Sequence, residues 1–167
     1  SIPSINSQRE LMYAHVDSLI IKDPDPCVMI IYNTSTEQVK EELLKRFPYA
    51  ELIDTDLTKG LVDPEITDSL LVEQKSNLVF LESQNLNVIT SVTSLLNSQI
   101  SKERNIKLLS TYRSETYENE NISYQKLGNL NFTYPSYFFP GYGDELDELN
   151  ESFIENYGKL PNKITLR

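Results

Sequence analysis

The chain has 167 residues, 39% of them apolar and 24% charged, with one cysteine, one histidine and a net charge of −10. This is the size of one domain that buries most of its apolar surface. It is too apolar for a disordered chain and too acidic for a nucleic-acid or anionic-membrane partner. A lone cysteine excludes an intrachain disulfide and a Cys-rich zinc cluster, a lone histidine excludes a His-rich metal site, and no apolar run reaches the roughly 18 residues of a membrane span. The opening residues, Ser1-Ile2-Pro3-Ser4, lack the basic and apolar stretches of a signal peptide, although a trimmed chain would have lost one.

Short apolar runs alternate with amphipathic stretches. Ser7 to Lys22 reads as a leading helix with Leu11, Met12, Val16, Leu19 and Ile20 inward, and Asp23-Pro24-Asp25-Pro26 breaks it. Val28-Met29-Ile30-Ile31-Tyr32 suits a strand buried on both faces, closed by Asn33-Thr34-Ser35. Glu37 to Phe47 then reads as a helix, with Val39, Leu43, Leu44 and Phe47 on one face, acids early and bases late. Ala50-Glu51-Leu52-Ile53 is a weaker strand. A helix opens at Pro64, capped by Asp63, and runs to about Lys75 with Ile66, Leu70 and Leu71 inward.

Asn77 to Leu81 is the third strand. Leu86 to about Ile100 is a helix with Leu86, Ile89, Val92, Leu95, Leu96 and Ile100 to one side, and Ile106 to Ser110 is the fourth strand. The polar stretch Arg113–Asn121 reads as a loop, followed by a short helix around Ser123–Leu127 and a fifth strand at Phe132–Phe138. Asp144 to Tyr157 reads as a closing helix with Leu146, Leu149, Phe153 and Ile154 inward, ended by Gly158. Strict alternation predicts a three-layer α/β/α doubly wound fold: a flavodoxin- or Rossmann-like parallel sheet of five strands, order 2-1-3-4-5. In such a fold, ligands sit outside the carboxyl ends of the strands.

Few motifs carry chemistry. Gly141-x-Gly143 lacks the third glycine of a phosphate loop. His15 lies beside Met12 and Leu19 on the leading helix, where no nucleophile–base pair can be argued, and Cys27 reads as a small buried residue. The acids Asp144, Glu145, Asp147, Glu148 and Glu151 complement a helix start. Asp54 and Asp56 follow strand 2, whereas a phosphoacceptor sheet needs its acids after strands 1 and 3. Here those strands end in Asn33 and Glu82. The sequons at Asn33, Asn121, Asn131 and Asn150 are what a chain rich in Asn and Ser contains by chance. The strand ends supply Asn33, Thr34 and Ser35; Glu82, Ser83, Gln84 and Asn85; Tyr112, Arg113 and Ser114; and Tyr137 and Tyr142. These hydroxyls, amides, one Arg and several Tyr suit a polar small-ligand cleft.

One longer pattern stands out. Phe132-Thr133-Tyr134-Pro135-Ser136-Tyr137 is followed by Gly143-Asp144-Glu145 and then by Phe153-x-x-x-Tyr157-Gly158-x-x-Pro161. The ending F-x-x-x-Y-G-x-x-P resembles the type 1 periplasmic binding proteins of the leucine/isoleucine/valine receptor class. So does the Asn85–Ile100 helix. Within that class the likeness is to the receptor-like proteins of Bacteroidetes that accompany ABC transporters or LysM modules. It implies a second lobe alone, an aromatic pair at Phe153 and Tyr157 that packs a helix on the sheet, and a location in the periplasm or cell envelope.

The resemblance further implies a non-catalytic wall for a small, amino-acid-like ligand shared with a first lobe. By family position the ligand-binding residues are Asn33, Thr34, Glu82, Ser83, Gln84, Tyr112, Arg113 and Tyr137. An acid such as Glu82 would serve an ammonium group, and hydroxyls or Arg113 a carboxylate. No cofactor or metal is expected. As partner the resemblance implies a transporter permease or a peptidoglycan-associated protein. The alternative is an envelope scaffold of the synthase-activating type that takes no small ligand. Such a scaffold would fill the strand ends with bulky apolar side chains, and these ends are polar.

Overall fold

The computed structural model describes residues 4–138, 151–156 and 164–165. Its elements are helix α1 (Ile5–Lys22), strand β1 (Cys27–Tyr32), α2 (Glu37–Arg46), β2 (Glu51–Asp54), α3 (Pro64–Leu70), β3 (Ser76–Leu81), α4 (Leu86–Gln99), β4 (Asn105–Leu109), α5 (Tyr124–Asn129), β5 (Thr133–Phe138), β6 (Glu151–Asn156) and β7 (Ile164–Thr165). Short 3-10 turns at Thr34–Thr36 and Glu115–Glu118 follow β1 and precede α5. One sheet joins the strands in the order β2-β1-β3-β4-β5-β6-β7. The pairs up to β5 are parallel, and those of β6 with β5 and of β7 with β6 are antiparallel.

Side chains of the central strands alternate between two cores. Val28 and Ile30 of β1, with Leu78 and Phe80 of β3, meet Met12, Tyr13 and Val16 of α1 and Val39 and Leu43 of α2. Met29, Ile31, Val79 and Leu81 face the other way, onto Val88, Ile89, Val92 and Leu96 of α4 and Leu127 of α5. Burial on both sides is why these strands read as unbroken apolar runs rather than alternating ones. Capping fixes the helix starts. The Ser4 hydroxyl accepts from Ser7 N–H, the Asp63 carboxylate from Glu65 N–H, the Asn85 amide oxygen from Asn87 and Val88 N–H, and the Ser123 hydroxyl from Lys126 N–H.

Three expectations are corrected. The first five strands are parallel in the expected order 2-1-3-4-5, but the sheet does not end there: it is mixed and runs on through β6 and β7. Residues 151–156, expected as the end of a helix, form β6 with six registered partners in β5, from Thr133↔Asn156 to Phe138↔Glu151. Residues 144–150 and 157 of that expected helix lie outside the described residues. The i, i+3, i+7 spacing of Leu146, Leu149 and Phe153 suits a helix, but the free edge of β5 offers a row of backbone groups, and residues 151–156 pair with it. Ile154 is 1% exposed and joins the core under α1. Phe153, expected on a helix face with Tyr157, lies in β6, and Tyr157 is outside the described residues.

Helix α3 is also shorter than expected. It stops at Leu70, buries Thr67 and leaves Ile66 48% exposed. Asn77 ends it from a distance. Its side chain accepts from Val72 N–H at 2.9 Å and donates to the carbonyls of Val72 and Asn105, each at 2.8 Å. Gln74 between them takes a left-handed φ of 63°, which no helix continues through.

Candidate functional site

The order β2-β1-β3 reverses winding direction between β1 and β3, and a cleft of about 630 Å³ opens there, beyond the strands' carboxyl ends. Three segments wall it: Asn33 after β1, the stretch Thr55–Leu61 after β2, and Asn85 to Ser91 at the start of α4. Each is anchored. Asn33 Oδ1 accepts from the Ser35 hydroxyl at 2.6 Å, and Asn33 N–H donates to Thr36 Oγ1 at 3.0 Å. Thr55 donates to the Tyr32 carbonyl through both its N–H and its hydroxyl. Thr34 N–H donates to Asp56 Oδ2 at 2.7 Å, tying the β1 loop to the β2 loop. That bond holds the Asp56 carboxyl below its ordinary titration range. Lys59 and Gly60 follow with φ of 54° and 81°, the left-handed pair that turns the chain back toward α4.

A smaller cleft of about 320 Å³ lies beyond β4 and along β5, lined by Tyr112, Arg113, Ser114 and Tyr134 among others. The Arg113 guanidinium sits 5.0 Å from the centre of the Tyr134 ring, and the Arg9 guanidinium 5.8 Å from that of Tyr112. Tyr134 is itself stacked on Phe132, and Phe132 on Tyr117.

Glu82 stands between the two clefts and lines neither. It is 2% exposed. Thr111 N–H donates to its Oε2 at 2.9 Å, and the Thr111 hydroxyl donates to its Oε1. The Glu82 carbonyl accepts from the Thr36 hydroxyl at 2.9 Å. Burial pushes the carboxyl up from 4.5 to about 7, against the opposing pull of the Thr111 donors and the charge of Arg9.

The eight residues expected to bind ligand therefore part company. Asn33 lines the switch-point cleft, and Tyr112 and Arg113 line the second one. Thr34 offers its backbone to Asp56. The Ser83 hydroxyl accepts from Asn85 N–H at 3.1 Å, and the Gln84 carbonyl accepts from the Thr116 hydroxyl at 2.8 Å. The Glu82 carboxylate is too deep to meet a ligand in either cleft. Tyr137 lies in β5 opposite Ser152, and its side chain falls outside the described residues.

The cleft residues that sequence reasoning passed over as ligands are Asp56, Lys59, Gly60, Asn87, Thr90 and Ser91. The signal for them was present, since the switch-point rule names the loop after β1 and the start of α4, and Gly60 marks a turn beside them. The switch-point cleft presents amides, hydroxyls, one carboxylate and one ammonium. No thiol or imidazole lines it. Among the described residues, no three His, Cys, Asp or Glu side chains are grouped to hold a metal ion, and no helix is long and apolar enough to cross a membrane.

Comparison with known proteins finds no matching family model, curated protein or solved structure.

Proposed function

We propose that the chain is a non-catalytic binding lobe for a small polar ligand, working as one wall of a two-lobed envelope receptor of the type 1 periplasmic kind that feeds an ABC transporter. The observation that carries this reading is the cleft of about 630 Å³ at the switch point, with opposite charges on Asp56 and Lys59 and neutral donors and acceptors on Asn33, Asn85 and Asn87. That mixture recognises a dipolar molecule of amino-acid size. A single wall makes only part of the contacts and cannot exclude water, so affinity for this lobe alone is weak.

The test is a titration of the ¹⁵N-labelled chain with each of the common amino acids, followed by amide shifts. The expected result is saturable movement confined to Asn33, Lys59, Gly60, Asn85 and Asn87, with dissociation constants in the millimolar range. Scattered or absent shifts across the whole panel overturn the ligand-binding reading. Micromolar binding overturns the part that requires a second lobe.

A further inference from the structure

We propose that Glu82 is a proton-operated latch, positioning the segment Ser110–Arg113 against β3 and changing its hold on that segment as the carboxyl gains or loses a proton. The inference does not depend on what the clefts bind. It rests first on connectivity. Through one residue, three strand ends are tied: β3 carries Glu82, the β4 end donates twice to its carboxylate through Thr111, and the β1 turn donates to its carbonyl through Thr36. Thr111 is 0% exposed, so bulk water does not compete with Glu82 for its donors in this arrangement. The next two residues, Tyr112 and Arg113, line the second cleft.

Chemistry makes the link two-state. The ionised carboxylate only accepts, so it takes both Thr111 protons in charge-assisted bonds. Once protonated, one oxygen becomes a donor. The Thr111 hydroxyl must then turn to accept from it, and the bond from Thr111 N–H becomes a neutral, weaker one. The surroundings pull both ways: burial disfavours the ionised form, and the Thr111 donors and the Arg9 charge favour it. No salt bridge reaches Glu82 among the described residues, so ionisation buries a charge without a paired cation.

The groups facing Glu82 are few. From α1 come Arg9, which favours the ionised form, and Tyr13, whose hydroxyl is pushed up to about 12 by burial and then by the Glu82 charge, so that it stays neutral. Glu42 and Arg46 of α2 act on Tyr13 with opposite sign, and the Arg46 guanidinium lies 4.6 Å from the centre of its ring. From the β4 end there is Thr111 and from the β1 turn Thr36, neither of them charged. The balance leaves the carboxyl near neutrality. The histidine that would ordinarily titrate there is held down at about 4.

The test is an amide and side-chain carboxyl NMR titration of the full chain from about pH 3 to about pH 9. The Glu82 carboxyl carbon and the amides of Thr111, Tyr112 and Arg113 should move together with one midpoint near 7. Glu82→Gln should abolish that shared transition. Thr111→Ala keeps the backbone donor and removes the hydroxyl, so it should move the midpoint upward. This second variant keeps the question open if Glu82→Gln does not fold. A Glu82 midpoint near 4.5, a transition that persists in Glu82→Gln, or a midpoint unmoved in Thr111→Ala would overturn the latch. The ligand titration above can fail while this one succeeds, and the reverse, so the two readings are separable.

Discussion

His15 is half-buried on α1, where burial and then the charges of Lys107 and Lys22 push its imidazole down from 6.5 to about 4. The unfolded chain takes up that proton near 6.5 and the fold resists it. The contribution of His15 to stability is therefore complete above about 6.5 and is lost as pH falls toward 4. Glu82 has the opposite sign. Its raised carboxyl holds a proton in the fold up to about 7 that the unfolded chain releases near 4.5, so its contribution is complete below 4.5 and is lost as pH rises through 7. Between about 4.5 and 6.5 the two slopes oppose each other. Glu82→Gln removes one of them. Relative to the parent chain, this variant should gain roughly 2–4 kcal/mol of stability between pH 4.5 and pH 7.5. Urea midpoints across that range measure it, and a constant difference between variant and parent would contradict the buried charge. Asn77 is a plainer case. It is 2% exposed, and its side chain serves Val72 and the Asn105 carbonyl, so Asn77→Ala strands buried donors and acceptors. A loss of roughly 2–4 kcal/mol is expected by chemical denaturation, and one below about 0.5 kcal/mol would show that water reaches the site.

At the scale of elements, β6 is where propensity and pairing disagree. The stretch Glu151-Ser152-Phe153-Ile154-Glu155-Asn156 follows an acidic, helix-like run, and apolar spacing alone assigns it to a helix. Its neighbours decide otherwise: Ile154 pairs with Pro135 and fills the core under α1, and the Tyr134 hydroxyl donates to Glu155. A double-mutant cycle with Tyr134→Phe and Glu155→Gln should give a coupling of about 1 kcal/mol. A helix over these residues would leave no pairing between them, and a zero coupling would favour it. The same comparison explains what the sequence made legible. The central strands were readable because Val28–Ile31 and Leu78–Leu81 are buried on both faces, a property of the run itself. The end of α3 was not, because Asn77 and the left-handed Gln74 act from beyond the helix. The site was half legible for a related reason. Asn33 follows from the topology rule, but the burial of the Glu82 carboxylate against Thr111 brings together residues distant in sequence.

For the molecule as a whole, the switch point is held apart from the core that supports it. The central strands are fixed by two apolar layers, whereas the cleft wall from Thr55 to Leu61 depends on a few bonds: Thr55 to Tyr32, Gly60 N–H to the Thr55 carbonyl at 2.7 Å, and Thr34 N–H to Asp56. Leu57 and Leu61 are 83% and 67% exposed, so little apolar burial adds to that hold. Local opening of this wall should therefore be far easier than unfolding of the sheet. Asp56→Ala is the direct test. It removes the acceptor of Thr34 N–H from an exposed position, so the denaturation midpoint should stay within the range of ordinary surface changes. Amide hydrogen exchange should speed up at Thr34 and Gly60 while Met29–Ile31 and Val79–Leu81 keep their protection. Acid should reproduce the effect in the parent chain. The Asp56 carboxyl is held below its ordinary range by that same N–H, so the tie persists at neutral pH and is lost only as pH falls through its lowered value. If exchange in β1 and β3 rises together with that of Thr34, the wall and the core open as one unit and the separation fails.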